Sequence, residues 1–184
     1  MELVLTKLHG KCKFHNVELT QMSSWTFGTT ADVGMRCYSS SENRLLEEAV
    51  FGMQSILLSP KGKEKLQSLT RDTGSFSLTS ESNQWSSLLV LLLEEVLFRA
   101  EAKDEWISEL HVVTELTEDE KIIANVQYSK VSTDHIELEI EIKAVTLHEL
   151  SFAFVPEGNM LPSKWAEVPS FEGPGWYCDV VFDI

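Results

Sequence analysis

Trp25-Thr-Phe-Gly-Thr-Thr-Ala-Asp-Val-Gly-Met-Arg-Cys37, running straight into Tyr38-Ser-Ser-Ser41, is the stretch that decides how this chain folds. Ala31, Val33, Met35 and Cys37 fall on one side of an extended backbone. Thr30, Asp32, Gly34 and Arg36 fall on the other, which is the period-two pattern of a strand. Ser39-Ser40-Ser41 then supplies hydroxyls able to accept from the free amides at a helix start. The following helix gathers Leu45, Leu46, Ala49, Val50, Met53, Ile56 and Leu57 into one buried stripe, and Pro60 reads as its stop. A strand passing directly into an amphipathic helix makes the class mixed α/β.

The two periods keep alternating outward from this point. A second helix, near 86–102, turns Leu89, Leu92, Leu93, Val96 and Leu97 inward; Leu88 and Leu91 make it apolar nearly all round, so it is expected to lie deep. Between the helices, Lys61-Gly-Lys-Glu-Lys65 reads as a solvated turn and 66–78 as a short strand flanked by loop. Leu110–Thr114 and Lys121–Tyr128 flank a turn at Thr117–Glu120 and predict a hairpin. Ile136, Leu138, Ile140, Ile142 and Ala144 alternate with Glu137, Glu139, Glu141 and Lys143, predicting another strand. Its glutamates, about 6–7 Å apart along one face, read as a solvated row. The stretch 155–175 holds four of the five prolines and three of the nine glycines and reads as a long loop.

The last stretch, Trp176-Tyr-Cys-Asp-Val-Val-Phe-Asp-Ile184, predicts a final strand. Trp176, Cys178, Val180, Phe182 and Ile184 share one face; Tyr177, Asp179, Val181 and Asp183 share the other. Spacing alone describes an ordinary edge strand with solvated aspartates. A terminus held in a sheet can also place its carboxylate beside that of Asp183 as a ligand for a hard cation. Both readings are open at this level.

The chain has 184 residues, 43% of them hydrophobic, and a mean hydropathy near zero. That describes a soluble globular protein able to bury about 70% of its unfolded surface. Its longest apolar run, Leu88–Leu93, is six residues, against the roughly 20 a membrane span needs. No secretory signal pattern opens the chain. Three widely spaced cysteines (Cys12, Cys37, Cys178) argue for a reducing compartment, so a cytoplasmic protein is expected. A net charge of −14, from 29 acidic and 15 basic residues, repels phosphate backbones; direct nucleic-acid binding is not expected, whereas a basic protein partner or a cation is.

Several chemistries find no support. No glycine motif cradles phosphate. Cys12-x-x-His15 is half a zinc site without a second half. A Ser–His–Asp set could be drawn through His135 or His148, but no nucleophile elbow accompanies it. The chain is expected not to be an enzyme.

The run Trp25–Arg36 resembles the opening signature of the archease family, in which a histidine, threonine, alanine and aspartate precede a valine or isoleucine and a glycine. Leu88–Phe98 is similar to the family's second helix. Glu141-Ile-Lys-Ala-Val-Thr-Leu-His148 is similar to its lysine, alanine, valine, threonine, tyrosine, histidine block, and archeases also close on an aspartate before the last residue. The resemblance covers 25–150 and 175–184. Thr29 stands where the signature has histidine, Gly28 where it has an acidic residue, Leu91-Leu92 where aspartate–tryptophan is usual, and Leu147 where the later block has tyrosine.

The resemblance implies an α/β (α+β) fold of mixed sheets with two main helices and an embedded smaller module. It implies an archease-like domain over 25–184, with residues 1–24 and the Pro-rich loop as additions. It further implies an accessory protein of the tRNA-splicing RNA ligase, one that promotes guanylylation of the ligase by GTP and sustains its turnover. Asp32, Asp183 and the terminal carboxylate of Ile184 would hold a divalent metal ion, often taken to be calcium. Arg36, Lys143 and His148 would support the site or face the partner, and Arg36 could simply pair with Asp32. A metal-dependent hydrolase using the same cluster and an acidic chaperone-like module are the alternatives.

Overall fold

The computed structural model describes residues 23–29, 32–133 and 135–184. All but the last two residues of the 1–24 extension, and the Cys12–His15 pair with it, lie outside the described residues. The opening segment forms β1 (Ser24–Gly28) and β2 (Asp32–Ser39). α1 (Glu42–Leu57) starts where the serines predict, with the Ser41 hydroxyl accepting from the Arg44 amide at 3.4 Å. Pro60 does not merely stop that helix: it opens α2 (Pro60–Ser68), capped by Ser59, whose hydroxyl accepts from Gly62 N. Proline suits a first helical position because its missing amide would be unpaired there anyway. The lysine-rich run is therefore helix rather than turn.

β3 (Asp72–Thr79) precedes α3 (Trp85–Lys103), the deep apolar helix. β4 (Glu105–Leu116) and β5 (Ile122–Ser132) form the expected hairpin. These strands make an antiparallel sheet of order β3-β5-β4. The alternating glutamate segment is no strand. Only one bridge, Leu58 to Leu138, is formed, with Ser59 N donating to Glu137 O and Glu139 N to Leu57 O. Of its apolar positions Ile142 is fully buried and Ile136 and Ile140 are half-buried, but Leu138 is 44% exposed and Ala144 is exposed as well; the backbone is laced to the α1–α2 corner instead of a sheet. The glutamates face solvent, as expected.

The remaining strands are β6 (Ala144–Val145), β7 (Ser151–Val155), β8 (Met160–Leu161), β9 (Phe171–Glu172) and β10 (Gly175–Asp183). β10 is not an edge strand. It lies mid-sheet, antiparallel to β2 on one side and to β6 and β7 on the other. Each of its edges is therefore paired, and both of its faces carry packed side chains. Cys178, Val180 and Phe182 join Met35 and Cys37 in the main core, which α1 and α3 share with the smaller sheet. Val181 and Tyr177 face outward under a second cluster, where Val168, Leu161, Trp165 and Phe171 from the Pro-rich stretch pack on Phe27 and Tyr38. The predicted loop is thus a packed cover carrying its own β8–β9 pair.

β4 is an edge strand whose edge is closed by side chains of α1. Gln54 donates its amide to Ile107 O at 2.8 Å and accepts from Ile107 N at 3.0 Å. Glu47 accepts from Val112 N at 2.9 Å. Each of these two buried polar residues serves as a missing strand partner. Gln54→Leu should leave two buried backbone groups unpaired, at about 1–3 kcal/mol for each. In denaturant titration the midpoint should fall with an unchanged slope; an unchanged midpoint would refute the role.

Candidate functional site

The antiparallel register of β2 and β10 sets out the outer face of the main sheet in rows. Asp32 lies directly opposite Asp183, Gly34 opposite Val181, Arg36 opposite Asp179, and Tyr38 opposite Tyr177. The rows alternate in chemistry. At the open end two aspartates stand opposite one another, and directly opposed residues have Cβ atoms about 4.5–5.5 Å apart. Next, Phe27 covers Gly34, whose site has no room for a Cβ beneath that ring. Then comes a buried ion pair.

Arg36 meets Asp179 through two hydrogen bonds of 2.5 Å, from Nε to Oδ1 and from Nη2 to Oδ2. Its partner is thus Asp179, not Asp32. The guanidinium lies between rings, 4.7 Å from the Trp165 centroid and 5.3 Å from that of Tyr177. Ser151 donates its hydroxyl to Asp179 Oδ2 at 3.1 Å. Burial alone would lower the Arg36 pKa; hydrogen bonds and charge from Asp179, aided by Tyr38, outweigh it and hold the pKa above its ordinary value. The residue is 4% exposed, and its contacts lie within the sheet and its cover.

At the open end the Thr29 hydroxyl accepts from Asp32 N at 3.1 Å and donates to Asp32 O at 3.0 Å, fixing the entry to β2. Lys143 N donates to Asp183 O at 2.8 Å. Its Nζ donates to Ile184 O at 2.8 Å. Lys143 thus steadies Asp183, the last residue of β10, through its backbone and Ile184 beyond it through its side chain. His148 lies apart from these contacts on an exposed turn, its amide bonded to Thr146 Oγ1 at 3.3 Å, and the following Glu149 has a left-handed φ of 52°.

The register brings Asp32, Asp183 and Ile184 to one end of the sheet, with Lys143 beside them. Neither aspartate has an ion-pair partner among the described residues. Like charges directly opposed across strands repel unless neutralised. The donors are all oxygens, the chemistry of a hard divalent cation. Among the described residues no three His, Cys, Asp or Glu side chains cluster to hold a metal.

The sequence missed Asp179 as the partner of Arg36. Both stand at even steps along their strands, but only the register reveals that they meet. No helix among the described residues is long and apolar enough to cross a membrane.

None of the curated proteins compared with the chain matches it. The solution structure of Methanobacterium thermoautotrophicum protein 1598 is similar in fold: TM-score 0.62 at 21% identity, covering 89% of this chain and 99% of that one. The archease protein family (MTH1598/TM1083) matches over residues 25–184. With that match spanning both the strand pair that opposes the two aspartates and the cover above it, the chain belongs to the archease family.

Proposed function

We propose that this protein is a metal-binding accessory factor of a tRNA-splicing RNA ligase, one that promotes guanylylation of the ligase by GTP and sustains multiple turnover. Family membership supports an accessory role. The observation that carries the finer reading is the Asp32–Asp183 pair, held in register at one end of the sheet with neither aspartate ion-paired among the described residues.

In this reading Asp32, Asp183 and the Ile184 carboxylate hold a divalent ion, calcium foremost, at the edge the ligase would approach. The bound ion supplies positive charge that can neutralise the phosphates of GTP. The protein's own residues contribute placement. Thr29 anchors the Asp32 backbone, Lys143 orients the final carboxylate, and Arg36–Asp179 holds β2 and β10 in the register that opposes the two aspartates. A net charge of −14 suits docking to a basic RNA-binding enzyme and would speed encounter at low salt.

The direct test is guanylylation of such a ligase by GTP, measured with and without this protein. Faster guanylylation and more product per ligase are expected, with no GTP hydrolysis by the protein alone. Phosphohydrolase activity that disappears with Asp32→Asn would replace this reading with a hydrolase.

A further inference from the structure

On the inner face of the main sheet, Cys37 of β2 lies directly opposite Cys178 of β10. The row continues to Ser24 of β1 on one side and Phe152 of β7 on the other, so the two thiols stand in the middle of four paired strands. Both thiols are free and fully buried. A hydrogen bond with the Cys178 thiol, and after it burial, pushes the Cys37 thiol well above its ordinary pKa. The two sulfurs are therefore turned toward each other. Directly opposed residues of an antiparallel pair have Cα atoms about 4.5 or 5.5 Å apart, according to whether the two exchange backbone hydrogen bonds. Both spacings fall inside the roughly 4.4–6.8 Å that a disulfide spans, whereas a diagonal neighbour at about 7–8 Å falls outside it. Two core cysteines can serve as small apolar side chains, but that role does not require them to face one another.

We propose that Cys37 and Cys178 are a modification site, which a low-molecular-weight disulfide such as glutathione disulfide closes into a cross-strand bond tying β10 to β2. Burial dictates when the bond forms. Nothing the size of glutathione reaches two thiols without exposed surface, and a neutral thiol is a poor nucleophile. Exchange therefore begins while β10 is away from β2, during folding or local opening of this last strand. The thiolate of one cysteine attacks a sulfur of glutathione disulfide; a mixed disulfide forms and one glutathione leaves as its thiolate. As β10 docks, the thiolate of the other cysteine attacks the protein sulfur of that mixed disulfide and expels the second glutathione. The protein gives up two electrons and two protons, and one glutathione disulfide becomes two glutathiones. The packed row has no room for the mixed disulfide, so strand pairing favours its resolution. Because the two cysteines lie far apart in the sequence, the bond closes most of the chain into one loop, which removes much freedom from the unfolded state. It also holds the register that sets Asp32 opposite Asp183.

The test refolds the unaltered, fully reduced chain from denaturant in a buffer of glutathione and glutathione disulfide, with a second portion kept native in the same buffer. Chance pairing of the three cysteines would put about a third of the product in each of the possible bonds. Peptide mapping by mass spectrometry should instead find Cys37 joined to Cys178 in nearly all refolded chains. In the native portion the same bond should form far more slowly. The linked protein should melt about 5–15 °C above the reduced one, and Cys178→Ala should abolish that gain. Linkage of Cys37 to Cys178 no more frequent than chance, a preference for Cys12, or a linked protein that melts no higher than the reduced one would overturn the proposal. So would a native portion that links as fast as the refolding chain. The two portions of unaltered protein decide the matter even if the variant does not fold. None of these readouts involves the ligase, so failure here and failure of the ligase reading are distinct results.

Discussion

Asp32→Asn and Asp183→Asn should each abolish activation of the ligase and weaken divalent-metal binding at least about tenfold, a loss of about 1.4 kcal/mol or more. Amide for carboxylate keeps the shape and removes one of the charges that attract the ion. Metal-free stability should not fall, because relieving the repulsion between directly opposed carboxylates is favourable. Calorimetric titration with calcium and manganese measures the first effect, and guanylylation of the ligase the second. Adding one glycine after Ile184 gives a sharper form of the experiment. The α-carboxylate becomes an amide carbonyl and its charge moves by about 3.3–3.6 Å. Lys143 loses its anionic partner, while Val180 and Phe182 still bury β10. A glycine-extended protein that melts normally and activates fully would remove Ile184 from the site. Wild-type affinity in both asparagine variants would remove the metal.

Asp179→Ala should be the most destabilising single change on the outer face, costing about 3–5 kcal/mol through the uncompensated buried charge of Arg36. Against a total stability of about 5–15 kcal/mol for a domain of this kind, that loss is large enough to populate unfolded chains. Replacing both partners, as Arg36→Met with Asp179→Leu, should recover much of the loss, since neither charge then remains to be desolvated. Chemical denaturation of the three proteins decides the matter. A loss below about 1 kcal/mol in Asp179→Ala would mean that the ion pair is not the tie between β2 and β10.

The outcome separates what sequence periodicity carries from what it does not. Ser41, the α1 stripe and the apolar run of α3 were legible because each obeys a local rule: a capping hydroxyl, a helical period, burial on every side. Pro60 does follow the end of α1, but Lys61–Lys65 was misread as a turn because a proline that ends one helix can equally begin another, and only Ser59 with Gly62 N distinguishes the two. Residues 136–144 misled for a different reason. Alternation is a guide to burial, and here it holds at Ile142 and in part at Ile136 and Ile140 but fails at the exposed Leu138 and Ala144, while the hydrogen bonds go to Leu57, Ser59 and Asp183 rather than along a ladder. The Pro-rich stretch was read as loop because packing of Trp165, Val168 and Phe171 onto Tyr38 and Phe27 is a long-range matter. For the site, Asp183 was open to a ligand reading from the final strand itself and Asp32 was added to it through resemblance to archeases, whereas their opposition across β2 and β10 follows from register, which no spacing within either segment states.

The position of β10 has a consequence for how the molecule is made. This strand follows in the chain every strand with which it pairs, yet it lies between them. During synthesis β2, β6 and β7 emerge with no partner for the edges that β10 will fill, and the ion pair of Arg36 waits for Asp179. The smaller sheet is different, because β3, β4 and β5 meet within a compact span. It can form while the rest of the chain is still on the ribosome. The main sheet depends on contacts between residues far apart in sequence, which close slowly. A nascent chain held before β10 has emerged would therefore carry a completed small sheet and an open, apolar cleft along β2, the kind of surface that recruits chaperones.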